Sequence, residues 1–284
     1  MELSSRRGIV LMIMAMLTIP IVDGIAKFLS IDFSPLFISW ARYVVACAFV
    51  VPFAFMKRGR NIFPKERLGI HFLRTVFLVS AMALYFVSIS LIPLATAISA
   101  YFVGPIVAVI LGVLFLKETL NILKILSLIL GFMGSLVILR PGSEIQPGIV
   151  MAFASGCLFA LYMITSRMTS QESDPVKTLA LQCVLGSMIL SPFAVLFWKL
   201  PTVEYMHLFI GLGLCSALGH IMTIYAFRYA DASTLAPLVY VELVATVFVG
   251  YIVFSEIPNI STVIGAGFII VSGLLLFRAK EGHN

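Results

Sequence analysis

The sequence predicts an all-α membrane protein of ten transmembrane helices in two inverted five-helix repeats. Three observations support this fold class. Of the 284 residues, 61% are hydrophobic and only 11% are charged, whereas a soluble domain carries about 25% charged residues. The second half of the chain repeats the first, and lysine and arginine are distributed asymmetrically between the loops. Lipid is therefore the expected main solvent of this chain.

Ten apolar segments are long enough to cross a bilayer, which requires about 20 apolar residues. The predicted spans are 8–29, 34–56, 68–91, 93–116, 122–139, 147–167, 175–198, 205–229, 233–254 and 261–277. Arg6 and Arg7 before the first apolar run resemble the start of a signal peptide. Asp23 and Lys27, however, follow where a small-residue cleavage site is expected, so the first helix is predicted to be retained.

The repeat is visible at an offset of 140 residues in its first part and 138 in its second. The matching pieces include Gly8-Ile9-Val10 with Gly148-Ile149-Val150, Pro52-Phe53-Ala54 with Pro192-Phe193-Ala194, Glu118 with Glu256, and Asn121-Ile122 with Asn259-Ile260. The predicted domains are residues 1–140 (spans one to five) and 141–284 (spans six to ten). Since five is odd, the second repeat must be inverted relative to the first, which is a common architecture of secondary transporters.

The basic residues predict the orientation. With the N-terminus inside, the inner segments hold Arg6, Arg7, Lys57, Arg58, Arg60, Lys65, Arg67, Lys117, Lys124, Arg167, Lys177, Arg228, Arg278 and Lys280, and the outer segments hold Lys27, Arg140 and Lys199. This distribution obeys the positive-inside rule. Both termini are therefore predicted to be cytoplasmic, in a multi-pass protein of the bacterial inner membrane. The net charge of +6 is a topology signal and does not indicate a nucleic-acid partner.

Six ionisable residues fall inside predicted spans, namely Asp23, Lys27, Arg42, Arg74, His220 and Glu242. A charge at mid-bilayer costs about 2.5–3.5 kcal/mol on insertion scales, so such a residue usually faces a cavity or a partner. Glu242 lies near the centre of the ninth span with no partner on its own helix. These residues predict a polar cavity that binds a metabolite and, in one version, exchanges a proton. The alternative is that Asp23 and Lys27 pair at i, i+4 and that Arg42 and Arg74 extend toward the interface.

Aromatic residues inside the spans support the cavity, because a buried tyrosine needs a hydrogen-bond partner. In the third span, Arg74, Tyr85 and Ser88 share one face. The matching face of the eighth span carries Ser216, His220 and Thr223. The candidate substrate-binding or coupling residues are Asp23, Trp40, Arg42, Tyr85, Tyr101, His220, Tyr240 and Glu242.

Spans four, five, nine and ten carry structural signals. Gly104-Pro105 and Ala236-Pro237 predict broken or kinked fourth and ninth helices. Ser127, Gly131 and Ser135 form a stripe of small residues in span five, matched by Gly265 and Gly273 in span ten. Such stripes allow close helix packing, here predicted between the two spans or against a second copy of the chain.

No enzyme motif is present in the sequence. It contains no phosphate-binding loop, no zinc-protease motif and no nucleophile elbow. Cys47, Cys157, Cys183 and Cys215 are not spaced as metal ligands. We therefore expect no catalytic residues, no metal and no cofactor.

Leu116-Lys117-Glu118 and Phe254-Ser255-Glu256 close the fourth and ninth spans. With the ten spans, these motifs resemble the drug/metabolite transporter superfamily, EamA type. Asp23-Gly24-Ile25-Ala26-Lys27-Phe28-Leu29, Trp40-Ala41-Arg42-Tyr43, Ala232-Ser233-Thr234-Leu235-Ala236-Pro237 and Tyr240-Val241-Glu242-Leu243-Val244 resemble the branch that contains S-adenosylmethionine and riboflavin uptake transporters.

The resemblance implies a secondary transporter that works by alternating access. It also implies that spans five and ten are peripheral and that the other eight enclose the pathway. The first expectation is uptake of a vitamin (riboflavin-like) or a nucleoside-like metabolite. The alternatives are uptake of S-adenosylmethionine, export of amino acids or drugs, and, from another class, a membrane enzyme or a channel subunit.

Overall fold

The structure is a computed structural model that describes residues 2–139, 146–255, 257 and 260–278. Every element in these residues is helical, which confirms the all-α prediction. The α-helices are α1 (Glu2–Leu29), α2 (Pro35–Arg58), α3 (Leu68–Leu91), α4 (Leu94–Tyr101), α5 (Val103–Leu116), α6 (Ile122–Leu139), α7 (Pro147–Ser170), α8 (Pro175–Leu196), α9 (Val203–Tyr229), α10 (Ala232–Leu235), α11 (Val241–Phe254) and α12 (Ile260–Arg278). A 3₁₀ helix, Ala236–Tyr240, joins α10 to α11.

Eight helical segments of the described chain are long and apolar enough to cross a membrane. They correspond to predicted spans one to four and six to nine. Predicted spans five and ten correspond to shorter apolar stretches within α6 and α12, so the count of ten crossings stays a prediction. Arg140, Glu256, Asn259 and the predicted boundary between residues 140 and 141 lie outside the described residues.

Predicted spans four and nine are both interrupted, as their prolines indicated. In the first half, α4 ends at Tyr101 and α5 begins at Val103. Pro105 is then in the first turn of α5, where a missing backbone N–H costs no helical hydrogen bond. In the second half, Pro237 lies at the start of the 3₁₀ helix. Regular α-helix is thus interrupted inside both segments.

The packing partners of the helices follow the sequence repeat. Helix α1 packs on α9, and the repeat-equivalent pair, α7 and α3, packs in the same way. Helix α2 packs on α8 and α6 packs on α12, and in each of these pairs the two helices are equivalents of one another. The two halves of the chain therefore interlock rather than form separate bundles.

Helix α6 packs on α12 through two reciprocal serine contacts. The Ser127 hydroxyl donates to the Ser272 carbonyl oxygen at 2.7 Å. The Ser272 hydroxyl donates to the Ser127 carbonyl oxygen at 2.6 Å. Gly131 faces the ring of Tyr240, which leaves no room for a Cβ atom. These contacts lie within one chain, so a second copy is not needed to cover them. The side chain of Ser135 and the surroundings of Gly273 lie outside the description.

Candidate functional site

A buried cavity lies at the centre of the helices. Its lining comes from α1, α2, α3, α4, α7, α9 and α11 and consists of Ile19, Val22, Asp23, Arg42, Met82, Tyr85, Tyr101, Phe159, Tyr162, Ser216, His220, Thr223 and Glu242. No described residue of α6 or α12 belongs to this lining, which agrees with the peripheral place that the resemblance gives them. The cavity volume is ≈ 20 Å³, room for about one water molecule. The described conformation is therefore closed.

Six of the eight candidate residues line this cavity: Asp23, Arg42, Tyr85, Tyr101, His220 and Glu242. The other two lie elsewhere. The Trp40 indole donates to the Ser191 hydroxyl at 3.3 Å and packs beside Trp198. The Tyr240 hydroxyl donates to the Phe102 carbonyl oxygen at 3.4 Å. Both side chains thus contact neighbouring helices, and the prediction of a binding role for them has no geometric support.

The two acidic residues of the cavity are almost completely buried, with Asp23 1% and Glu242 3% exposed. Their carboxyl groups are close enough for the charge of one to act on the other. Asp23 Oδ2 has no hydrogen-bond partner among the described residues. Lys27, the alternative partner of Asp23, directs its Nζ at the Ile92 carbonyl oxygen (3.4 Å) and over the Phe254 ring.

Two arginines are also buried and do not extend toward an interface, so that alternative is wrong for both. The Arg42 guanidinium lies over the rings of Tyr43 (4.6 Å) and Phe86 (5.4 Å). Its Nε and Nη2 have no partner in the described part of the chain. Arg74 lies behind the cavity wall and donates from Nε to the Ser166 hydroxyl at 2.7 Å and from Nη2 to the Tyr162 hydroxyl at 3.2 Å.

Several lining residues were not among the candidates. Phe159 and Tyr162 are the clearest, because they form one wall of the cavity on α7. They are the repeat equivalents of Ile19 and Val22 of α1, which they follow by 140 positions, and those two residues were not candidates either. His220 and Thr223 likewise follow Met82 and Tyr85 by 138 positions. Mapping each candidate onto its repeat equivalent would have added Met82 and Thr223, the equivalents of His220 and Tyr85, but neither Phe159 nor Tyr162.

At the end of the molecule that bears the N-terminus, a set of residues that we call the Glu118 cluster (Glu118, Arg167, Asp231) ties three segments together. The Glu118 carboxylate accepts hydrogen bonds from the backbone N–H groups of Ala232 (3.0 Å) and Ser233 (2.7 Å). Arg167 donates to the Phe227 carbonyl oxygen at 2.7 Å and to Asp231 at 2.5 Å. The end of α5 is thereby fixed to α7 and to the α9–α10 turn.

The opposite end is held by the Asp32 cluster (Asp32, Lys199, Tyr205). Lys199 Nζ donates to the Asp32 carbonyl oxygen at 2.6 Å, and the Tyr205 hydroxyl donates to the Asp32 carboxylate at 2.6 Å. These contacts fix the α1–α2 turn to the α8–α9 turn. The cavity therefore lies between two sets of polar contacts, one at each end of the helices.

Comparison with known proteins gives consistent results over the whole chain. The profile of the EamA-like transporter family matches residues 6–140 and again residues 146–278. An S-adenosylmethionine uptake transporter of Rickettsia prowazekii is 26% identical over 275 residues, covering 96% of this chain and 93% of that protein. A riboflavin transporter of Vibrio cholerae is 24% identical over 275 residues, covering 94% and 91%.

Two further comparisons add an exporter and a solved structure. A pseudopaline exporter of Pseudomonas aeruginosa is 23% identical over 280 residues, covering 98% of each chain. One solved crystal structure superposes with a TM-score of 0.76 at 17% identity and covers 100% of this chain and 98% of that chain. At that identity the superposition shows the fold alone.

Proposed function

Since the chain belongs to the EamA-like transporter family, we propose that it is a secondary carrier that imports a small organic metabolite bearing a positive charge. Transport proceeds through the central cavity by alternating access. The observation that carries the proposal is the placement of two buried carboxyl groups, Asp23 and Glu242, in one closed cavity among aromatic side chains.

The carboxyl pair supports a cationic substrate. Neither Asp23 nor Glu242 forms an ion pair with another described residue. Carboxylates in a low-dielectric site require a positive charge in direct contact, or a proton. A substrate cation and a proton can each meet this requirement, so that binding of one releases the other. This competition couples substrate movement to a proton in the version of the mechanism that we favour.

The aromatic wall supports a planar substrate. Tyr85, Tyr101, Phe159 and Tyr162 form a continuous series with ring centroids 5.3 to 5.5 Å apart. Such rings stack on a nucleobase and attract a cation. S-adenosylmethionine, named for several relatives, combines a nucleobase with a sulfonium cation, and we place it first. A riboflavin-like vitamin fits the rings but not the carboxyl pair, and we place it second.

The proposed topology has ten crossings in two inverted repeats, residues 1–140 and 141–284, with both termini in the cytoplasm of a bacterial inner membrane. The lysine and arginine distribution supports it, and so does the exchange of packing partners between the halves. Cysteines introduced at Arg60 and Lys199 should react with a membrane-impermeant reagent from opposite sides. Labelling from the same side would contradict the proposed topology.

Alternating access requires that the closed cavity expand. Its ≈ 20 Å³ is far below the about 300–1,000 Å³ of small-molecule sites. Release of the Glu118 cluster opens the cavity toward the cytoplasm, and release of the Asp32 cluster opens it toward the other side. Each cluster must break in turn while the other persists.

The test is uptake of labelled S-adenosylmethionine into proteoliposomes, with and without a pH gradient. The parent should show saturable uptake and counterflow, which a channel does not. Glu242→Gln should abolish accumulation driven by the gradient and retain exchange if Glu242 couples the proton, or lose both if it binds the cation. The matched control is Glu204→Gln at an exposed carboxylate outside the cavity, which should behave like the parent.

Three results would overturn this proposal. Unchanged accumulation and affinity in Glu242→Gln at equal protein yield would leave Glu242 without a transport role. Uptake of riboflavin, with none of S-adenosylmethionine, would replace the cationic substrate by the second candidate. Efflux without uptake, in liposomes of controlled orientation, would indicate an exporter.

A further inference from the structure

The cavity contains an unpaired positive group as well as unpaired acids. Arg42 and Asp23 both line it and both are buried. They are near enough for Arg42 to act electrostatically on Asp23, yet no ion pair joins them among the described residues. A buried charge without a directly contacting partner is costly. A ligand that carries a carboxylate and a cation would pair with both Arg42 and Asp23.

Tyr162 adds a phenol hydroxyl to the same wall. Arg74 Nη2 donates to the Tyr162 hydroxyl oxygen at 3.2 Å, so that oxygen already accepts a bond and its own proton can be donated elsewhere. Tyr162 lines the cavity, whereas Arg74 lies behind it. A cation behind a phenol strengthens the bond that the phenol donates.

Arg74 is fixed in this position. Its Nε donates to Ser166 at 2.7 Å and its guanidinium lies 4.9 Å from the Tyr162 ring centroid. The residue is 1% exposed, and no carboxylate pairs with it in the part of the chain that the structure describes. A buried cation with no anion beside it is costly. An anion bound at the Tyr162 hydroxyl lowers that cost.

We propose that Arg42 and Tyr162 form a carboxylate subsite, with Arg74 as the positioning residue behind Tyr162, so that the cavity selects zwitterionic substrates. The cation of the substrate lies against Asp23 and Glu242, and its carboxylate lies against Arg42 and the Tyr162 hydroxyl. A substrate that carries a cation and a carboxylate can pair with both sets of groups at once. This inference rests on the proposed function, because it assigns a second part of the same substrate.

The first measurement compares matched compounds that differ only in a carboxylate. The purified protein is heated with S-adenosylmethionine or its decarboxylated form, and with tyrosine or tyramine. At least one compound that carries both charges should stabilise the protein, and its decarboxylated partner should need about 10- to 100-fold higher concentration, which corresponds to one lost charged hydrogen bond. Equal stabilisation by both members of every pair, or stabilisation by no zwitterion, overturns the subsite.

The second measurement locates the preference. Arg42→Gln copies the repeat-equivalent Gln182. In this variant, the ratio of the stabilising concentrations of the decarboxylated and the carboxylate-bearing compound should fall close to one. Tyr162→Phe removes only a hydroxyl and should lower the preference several-fold without loss of folded yield. Tyr225→Phe, outside the cavity lining, is the matched control and should keep the preference of the parent. A merely structural role of Tyr162 would change stability and leave this ratio unchanged.

Arg74 acts through Tyr162, so their effects should not add. Arg74→Met should lower the carboxylate preference as much as Tyr162→Phe does, and the double variant should be no worse than either single one. Additive effects would separate Arg74 from the subsite and overturn its positioning role. Failure of the proposed function is distinguishable, because it appears as absent flux in liposomes, whereas failure of the subsite appears as flux or binding without carboxylate preference.

Discussion

The two ends of the molecule use repeat-equivalent positions and hold them with different chemistry. At the end that bears the N-terminus, Arg67 pairs with Glu172 at 2.7 Å. At the opposite end, the equivalents of these residues are Tyr205 and Asp32, and they form a hydrogen bond at 2.6 Å. The repeat equivalent of Arg167 in the Glu118 cluster is Lys27. One contact of the Lys27 ammonium is with the Ile92 carbonyl oxygen. At these two positions, the end with the N-terminus therefore has arginines, whereas the opposite end has a tyrosine and a lysine.

This difference connects the orientation of the chain in the membrane with the contacts that close the cavity. In the proposed topology, the end with the N-terminus is cytoplasmic, and the positive-inside rule favours arginine and lysine there. An arginine offers several donors in a fixed fork and can bind a carboxylate and a carbonyl together, as Arg167 does. In that topology, the residues that orient the chain therefore also fasten its cytoplasmic end.

The largest expected effect comes from Glu118→Gln, which removes the charge that two backbone N–H groups share. The glutamate is 7% exposed, so these charged hydrogen bonds are worth about 1.5–3 kcal/mol. Thermal unfolding should show the loss, and hydrogen exchange at Ala232 and Ser233 should accelerate. The same measurements on Glu204→Gln, at the opposite end, should show no change. Unaltered exchange at Ala232 and Ser233 would mean that Glu118 does not hold this end.

An intermediate effect is expected from Arg167→Lys, which gives the Glu118 cluster the residue found at its repeat equivalent. Lysine keeps the charge but cannot span the Phe227 carbonyl and Asp231 as the planar guanidinium does. The expected loss of stability is about 1 kcal/mol, one hydrogen bond, with faster opening of the cytoplasmic end measured by alkylation of a cysteine at Ser170. If this variant matches the parent, the difference between arginine and lysine does not explain the difference between the ends.

The smallest effects should come from Arg67→Gln and Tyr205→Phe, a repeat-equivalent pair. The Arg67–Glu172 side chains are 47% and 39% exposed, and such ion pairs contribute less than about 1 kcal/mol. The effect of Arg67→Gln on the unfolding midpoint should disappear at high salt, because salt screens exposed charges. The effect of Tyr205→Phe should not depend on salt in this way. If the effects of the two variants depended on salt in the same way, the distinction between an ion pair at one end and a phenol hydrogen bond at the other would be wrong.

The helical class, the two broken segments and six cavity residues could be predicted because a charge in lipid is costly and proline cannot continue a helix. Trp40 and Tyr240 could not be placed, because their direction depends on helix rotation. Trp40 is two residues from Arg42, about 200° around an α-helix, and it points at another neighbour. Phe159 and Tyr162 carry no charge, so nothing in their own segment distinguishes them from packing residues. The Arg67–Glu172 pair joins distant turns, and composition alone gives no information on such contacts.

The 3₁₀ helix Ala236–Tyr240 directly precedes the helix that carries Glu242. A 3₁₀ helix rises about 2.0 Å and turns about 120° per residue, whereas an α-helix rises about 1.5 Å and turns about 100°. Conversion of these five residues to α geometry would shorten the segment by about 2.5 Å and rotate the carboxyl group by about 100° relative to the residues before it. The chain could therefore withdraw Glu242 from the cavity by rewinding one short segment, with no change of side-chain rotamer.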